Sequence, residues 1–295
     1  MPVAAGRSGR ARRRQSGRAR TAPARFAAGL SSRTCSSGRP PRPRTAHRAG
    51  DMTTAAVIPA HNEVRTIRPL VAAVRDRVET VIVVDDGSTD GTGEAVAGLD
   101  IHLLRNESAG GKAAALAAGF AAALETQATR IATLDGDGQH DPAELDRLLE
   151  AARRHPEHLV VGARVRQRHR QPGIRRFANR FADFWISWAS GQRLPDSQSG
   201  YRVYPRGLLE RVKPSTARRH GFVFETAMLI DGARAGYPAL AVEIDSIYRD
   251  NARPSYFRPG KDVWEIFWFV CRRIVLAGFY PQGLWRMITR PARFG

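Results

Sequence analysis

The chain has 295 residues, 42% of them hydrophobic and 25% charged, which is enough for a sizeable core arranged as one large domain or two small ones. Its net charge of +19 suggests a nucleic-acid binder until the charge is located: thirteen arginines and a single acid, Asp51, fall within residues 1–51, so +12 belongs to that segment and +7 to the rest. Outside it there is no basic platform interleaved with aromatic residues, and no specific nucleic-acid partner is expected. Two cysteines, Cys35 and Cys271, can build neither a disulfide framework nor a zinc site, so a reducing cytoplasm is the expected compartment.

Residues 1–51 are rich in Arg, Ala, Ser, Gly and Pro, hold no apolar run long enough for a signal-peptide core, and show neither a helical nor a strand period, so they are expected to be a disordered leader. An organellar transit peptide, a nucleic-acid or membrane-binding arm, and a true start at Met52 are all compatible with that composition.

From residue 54 onward, short apolar runs alternate with helical periods. Runs at 55–58, 81–84, 101–104, 131–134 and 159–162 read as buried strands, since they lack the polar alternation of a one-sided sheet. Between the first two, Ile67, Leu70, Val71 and Val74 recur at the spacing of one helix face, and residues 112–124 form the third helix, of almost only alanine and leucine, suited to close packing on a sheet. This βαβ succession predicts an α/β fold with a mostly parallel, Rossmann-like sheet, flanking helices, and a site at the strands' C-terminal ends.

After residue 162 the alternation stops. Ile174, Phe177, Phe181, Phe184, Trp185 and Trp188 form one stripe of a long helix with Arg175, Arg176 and Arg180 off it; packing on the sheet or a partner and contact with a membrane surface both fit. Residues 263–285 are rich in Trp, Phe, Ile and Val but are interrupted by Glu265, Arg272 and Arg273, short of the ~18 apolar residues of a membrane span. Amphipathic helices lying at an interface fit better. The expected organisation is a leader over 1–51, an α/β domain over 52–262 and amphipathic helices over 263–295.

The most informative stretch is LDGDGQHDP at 134–142. An apolar run ends in two carboxylates, Asp135 and Asp137, one residue apart, which is how a strand edge delivers oxygen ligands to a hard divalent cation serving a phosphorylated substrate. Such a pair also occurs in ordinary turns. A calcium loop of the EF-hand type fits poorly, because His140 and Asp146 stand where its glycine and glutamate belong. Asp141, Pro142 and Glu144 supply the cap, first-turn proline and capping-box acid of the next helix. Polar residues also gather after the first strand, at 59–63, and after the second, at 85–92. Lys112, behind Gly110 and Gly111, adds a cation, but with Asn106 and Ala113 at the flanking positions this is no P-loop.

Taken together, the ordered motifs VIPAHNE, VVDDGSTDGT, GGKAAAL, LDGDGQHDP, DSQSGYRVYP and FVFETAML, spanning roughly residues 54–262, resemble the family 2 glycosyltransferases of GT-A fold. The resemblance implies that Pro59, His61, Glu63, Asp85 and Asp86 hold the nucleotide of a nucleoside-diphosphate sugar, and that Asp135 and Asp137, with Gln139, hold Mn2+ or Mg2+ against the donor diphosphate. Residues 196–202 and 224–226 are similar to the acceptor-side segments of polyprenyl-phosphate (dolichol-phosphate type) mannosyl- and glucosyltransferases. By that likeness Glu225 belongs to the acceptor site, and Arg164, Arg166, Arg202, Arg249 and Lys261 supply cations to a lipid phosphate. The implied activity is inverting transfer to a lipid-linked acceptor by an enzyme peripheral on the cytoplasmic face of a membrane. A hydroxyl acceptor would need a base, for which Asp196 is the first choice; an ionised lipid phosphate would not. A nucleotidyltransferase, or a family 2 enzyme with a soluble hydroxyl acceptor, is the rival reading.

Overall fold

In a computed structural model of the protein, the five apolar runs become strands: β1 (Thr54–Ala60), β2 (Thr80–Asp85), β3 (His102–Arg105), β4 (Arg130–Thr133) and β5 (Leu159–Ala163). The structure describes residues 52–166, 173–213, 221–245, 247 and 259–295, without the side chains of 175, 259, 261 and 262. The expected leader, Arg249 and the Lys261 side chain lie outside the described residues.

β1 is paired in parallel with β2 on one side and β4 on the other, and β2 with β3. Two further strands were not foreseen. β6 (Arg202–Pro205) inserts antiparallel between β4 and β5, and β7 (Ala239–Glu243) pairs in parallel with β5. The sheet order is β3-β2-β1-β4-β6-β5-β7, so a mostly parallel sheet is found, with one reversed strand beside the acidic turn that follows β4. β3 departs from the expectation of burial: as an edge strand it leaves Leu103 exposed. At the other edge, the Ala241 N–H donates to the Arg293 carbonyl at 2.9 Å and the Gly295 N–H to the Ala241 carbonyl at 3.0 Å, so the last residues cover β7.

Alternate residues of β1 face opposite layers. Ala56 and Ile58 join a core with α1 (Ile67–Arg75) and α4 (Leu145–Arg154), where Ile67, Leu70, Val71 and Val74 are the buried stripe read from the sequence. Ala55 and Val57 face α3 (Lys112–Glu125), α5 (Gly173–Ser190) and α7 (Gly221–Arg234). Two short helices, α2 (Thr92–Ala95) and α6 (Arg206–Arg211), follow β2 and β6.

The expected boundary at 262/263 falls inside a helix, α8 (Pro259–Leu276), whose Ile266, Val270 and Ile274 belong to the same core as the sheet. α9 (Pro281–Thr289) follows. The aromatic stripe of α5 also sits differently from the simple packing expectation. The turns facing the core carry Ala178, Ala182, Ile186 and Ala189; Phe181 and Trp185 meet Phe267 of α8, while Ile174 (75% exposed), Phe177 (72%) and Phe184 (46%) face outward.

α3 lies close on the sheet because its buried face is made of Ala113, Ala115, Gly119 and Ala123 around Leu116 and Phe120. A Cβ on Gly119 would come 2.3 Å from Val57 Cγ1 and 3.2 Å from Val84 Cγ2. Gly119→Val is therefore expected to lower stability by roughly 3 kcal/mol through overpacking, read as a fall in the urea midpoint with unchanged slope.

Candidate active site

The polar loops foreseen from the sequence meet along the carboxyl edge of the sheet. Where β1 ends, Asn62 adopts a left-handed φ of 57°. Its N–H donates to Ser88 Oγ at 2.9 Å and its Oδ1 accepts from the Thr89 N–H at 2.9 Å. The Glu63 N–H donates to Thr92 Oγ1 at 2.7 Å, and the His61 Nδ1–H donates to the Asp86 carbonyl at 2.8 Å. The first two motifs are thus stitched into one surface by short polar side chains and backbone, with Pro59 buried beneath them in β1.

Both expected nucleotide-binding aspartates are buried and already engaged. Asp86 accepts from Asn106 Nδ2 (2.8 Å) and from the N–H groups of Gly110 (2.9 Å) and Gly111 (2.7 Å), which orders the turn leading into α3. Asp85 Oδ1 accepts from the Ser88 N–H at 3.0 Å, and Oδ2 faces Arg105 Nε at 3.4 Å without a hydrogen bond. These carboxylates hold the turn after β2 and the turn leading into α3.

The turn after β4 places Asp135, Asp137 and Gln139 together. Asp137 Oδ1 accepts the Gln139 N–H at 3.0 Å, closing the turn, and Asp141 caps the one-turn helix at Pro142–Glu144 by accepting the Ala143 N–H at 2.9 Å. The Asp135 N–H donates to His140 Nδ1 at 3.2 Å, which requires that nitrogen to carry no proton. Burial lowers the His140 pKa, and the ring is stacked 4.9 Å from Tyr201. Lys112, at the start of α3, reaches in from the neighbouring loop: its Nζ lies 2.6 Å from Asp135 Oδ1 and 3.2 Å from Glu225 Oε1 on α7.

The two turn carboxylates are driven apart electrostatically. Burial works against the charge of Asp135, but Lys112, His140 and Arg164 outweigh it and hold the pKa down to about 2. Burial and the neighbouring charge of Asp135 both raise that of Asp137. The donors are hard oxygens on one turn, so the residues fit a divalent cation. Among the described residues no cluster of three or more His, Cys, Asp or Glu assembles a closed metal cage. Two carboxylates suit an ion that takes its remaining ligands from substrate phosphate and water.

The structure pairs two residues to which the sequence assigns separate roles. Asp196 accepts from Arg164 at both oxygens: the backbone N–H (3.1 Å) and Nε (2.8 Å) reach Oδ2, and the terminal guanidinium nitrogen reaches Oδ1 (3.1 Å). Arg166 stands apart, paired with Glu243 at 3.0 Å. The expectation that Arg202 offers its charge to an acceptor phosphate is corrected. Its side chain is 0% exposed and donates to the carbonyls of Ser199 (2.8 Å), Ser197 (2.9 Å) and Glu225 (2.8 Å). A guanidinium committed to three buried carbonyls cannot turn toward solvent without orphaning them. One contributor escaped the sequence reading: Asp183 on α5 accepts both the N–H and the Oγ–H of Ser197 at 2.8 Å. It lay within a stripe dominated by aromatic residues, and only its isolation as an acid on a packed helix marked it.

Residues 55–213 match the family model Glycosyl transferase family 2. The chain is a family 2 glycosyltransferase. It is 32% identical to an undecaprenyl-phosphate mannosyltransferase of Micrococcus luteus over 214 residues, covering 68% of this chain and 85% of that protein. It is 31% identical to a polyprenol monophosphomannose synthase of Mycolicibacterium smegmatis over 211 residues, covering 67% and 78%. In fold, this transferase resembles mannosyl-3-phosphoglycerate synthase of Rubrobacter xylanophilus, with a TM-score of 0.61 at 18% identity over 77% of this chain and 75% of that one. It also resembles glucosyl-3-phosphoglycerate synthase of Mycobacterium tuberculosis in complex with Mn2+, UDP-glucose and phosphoglyceric acid, with a TM-score of 0.53 at 20% identity over 79% and 80%. Both likenesses identify the GT-A sheet.

If Arg202 is a clamp in this transferase, Arg202→Lys keeps the charge but cannot span three carbonyls. The variant is expected to lose on the order of 3 kcal/mol of stability, seen as a lower thermal midpoint. A raised KM with unchanged stability would return Arg202 to the acceptor site.

Proposed function

We propose that this transferase moves a sugar, with inversion, from a nucleoside-diphosphate donor to a polyprenyl phosphate presented at a membrane surface. The observation that carries this reading is the Arg164–Asp196 pair, in which both carboxylate oxygens already accept from the arginine. A hydroxyl acceptor needs a base to take its proton, and a carboxylate clamped by a guanidinium is poorly disposed to serve. A phosphate acceptor arrives ionised and needs a cation instead, which Arg164 can offer by exchanging one anionic partner for another. Arg249 and Lys261 are proposed as further cations on this side. The polyprenyl-phosphate acceptors in the relatives' names support the same choice.

On the donor side, Asp135, Asp137 and Gln139 would hold Mn2+ or Mg2+, which would neutralise charge gathering on the departing diphosphate. Lys112 orients the diphosphate from the opposite flank, and the joined loops at 61–63 and 85–92 receive the base and ribose above Asp85 and Asp86. The acceptor phosphate oxygen attacks the anomeric carbon from the side facing Arg164, and the sugar–phosphate bond on the far side breaks.

Membrane contact is proposed through the outward faces of α5, α8 and α9. Ile174, Phe177, Trp264, Trp268, Trp285 and Ile288 are all exposed, with Arg272, Arg286 and Arg290 exposed among them. Aromatic and apolar side chains edged by arginine suit an interface of anionic lipid. No helix of the described residues is long and apolar enough to cross a membrane.

The test is a screen of UDP- and GDP-sugars with Mn2+ or Mg2+, with and without polyprenyl phosphate, reading nucleoside diphosphate release and the lipid product. Release that depends on polyprenyl phosphate is expected; equal transfer to a water-soluble alcohol in its absence would overturn the acceptor assignment.

Three variants sharpen it. Asp137→Asn should keep the fold but lose at least about 100-fold in turnover, because an amide lacks the charge that holds a hard cation; EDTA should act likewise on the wild type. Asp196→Asn should retain transfer to within about tenfold, since loss of a true general base costs on the order of 100-fold or more. Replacing Trp264, Trp268 and Trp285 together by serine should weaken binding to anionic liposomes by at least about tenfold, given the apolar area removed. High salt should weaken wild-type binding only in part.

A further inference from the structure

We propose that Lys112 is a resident counter-cation that makes metal binding conditional on the donor diphosphate. The inference rests on the metal site proposed at Asp135 and Asp137. One ammonium bridges two carboxylates, at 2.6 Å from Asp135 Oδ1 and 3.2 Å from Glu225 Oε1, and the first of these belongs to the pair that faces the metal.

The placement is built. A Cβ on Gly221 would fall 2.6 to 2.8 Å from Lys112 Cβ, Cγ and Cδ. A Cβ on Gly200 would fall 3.0 Å from Lys112 Nζ, from Asp135 Oδ2 and from Glu225 Oε1. Backbone at two glycines therefore encloses the lysine stem and head on sides where any side chain would displace them. Lys112 also stands at the first residue of α3, where the helix dipole disfavours a positive charge. The two carboxylates must supply what holds it there.

A dication approaching Asp135 and Asp137 therefore meets a carboxylate whose charge is already balanced and an ammonium at hydrogen-bond distance from it. Without donor, the lysine and the metal compete for the same negative charge. With donor, the diphosphate brings enough negative charge for both cations, and Glu225 offers a second seat for the ammonium when Asp135 turns to the metal. Metal and nucleotide should then bind with positive coupling, each raising the affinity of the other by the same factor. An ion triad serving only the fold would leave metal affinity indifferent to the lysine charge.

The experiment measures free Mn2+ by electron paramagnetic resonance during titration of the full chain, alone and with saturating UDP or GDP. Lys112→Met is expected to bind Mn2+ alone about tenfold more tightly than wild type and to gain correspondingly less on nucleotide addition. Lys112→Arg, which keeps the charge, should behave as wild type. If Lys112→Met does not fold by circular dichroism, Lys112→Gln, neutral but able to hydrogen-bond Asp135, is read by the same criterion. Unchanged or weaker binding of Mn2+ alone in the folded neutral variant, with binding lost in Asp137→Asn, overturns this inference and leaves the metal site standing. Wild-type Mn2+ affinity in Asp137→Asn overturns both.

Discussion

Three carbonyl oxygens from two distant parts of the chain, those of Ser197, Ser199 and Glu225, turn toward the buried guanidinium of Arg202. The geometry around Asp196 and Glu225 follows from that convergence. Burying a guanidinium is tolerated only when its donors are matched, and here the matching groups are backbone of the 197–199 loop and of α7. Fixing those carbonyls sets the loop that carries Asp196 and the helix turn that carries Glu225. Glu225 in turn receives Lys112, and Asp196 receives Arg164. Arg202 is the first residue of β6, so the clamp is anchored in the sheet between β4 and β5.

The loops after β1 and β2 are held by a different kind of bond. Asn62, Ser88, Thr92 and Asp86 join neighbouring loops through short hydrogen bonds, mostly between a side chain and backbone. Such contacts fix loop shape while leaving the surface above them open to a ligand. The surroundings of Arg202 are tied together by charged side chains, the loops after β1 and β2 largely by small polar ones.

The parts of this arrangement legible in the sequence were those with a local signal. Five apolar runs gave five strands, the stripe from Ile67 to Val74 gave α1, and the carboxylates of 134–142 gave the acidic turn, because period and turn chemistry act over a few residues. What escaped depends on partners far away in the chain. β6 is four residues long and begins with an arginine, which reads as surface until the sheet closes over it. The same blindness assigned Arg202 to a phosphate. Asp196 and Arg164 were each given a separate function because nothing in a linear sequence says that residues 32 apart share a bidentate pair. β3 was expected inside because an apolar run does not reveal that its strand will lie at an edge.

The alanine- and glycine-lined face of α3 does more than fill space. With Gly119 against Val57 and Val84, the helix axis lies as near the sheet as backbone packing allows, and Lys112 is the residue at its forward end. The depth at which the ammonium stands is therefore set two turns away, by the absence of methyl groups in a dry layer that never meets substrate. A single added carbon there acts like a shim under a lever: it would tilt the tip away from Asp135 and Glu225. Selection on the size of these buried positions is thus also selection on where positive charge stands at the surface.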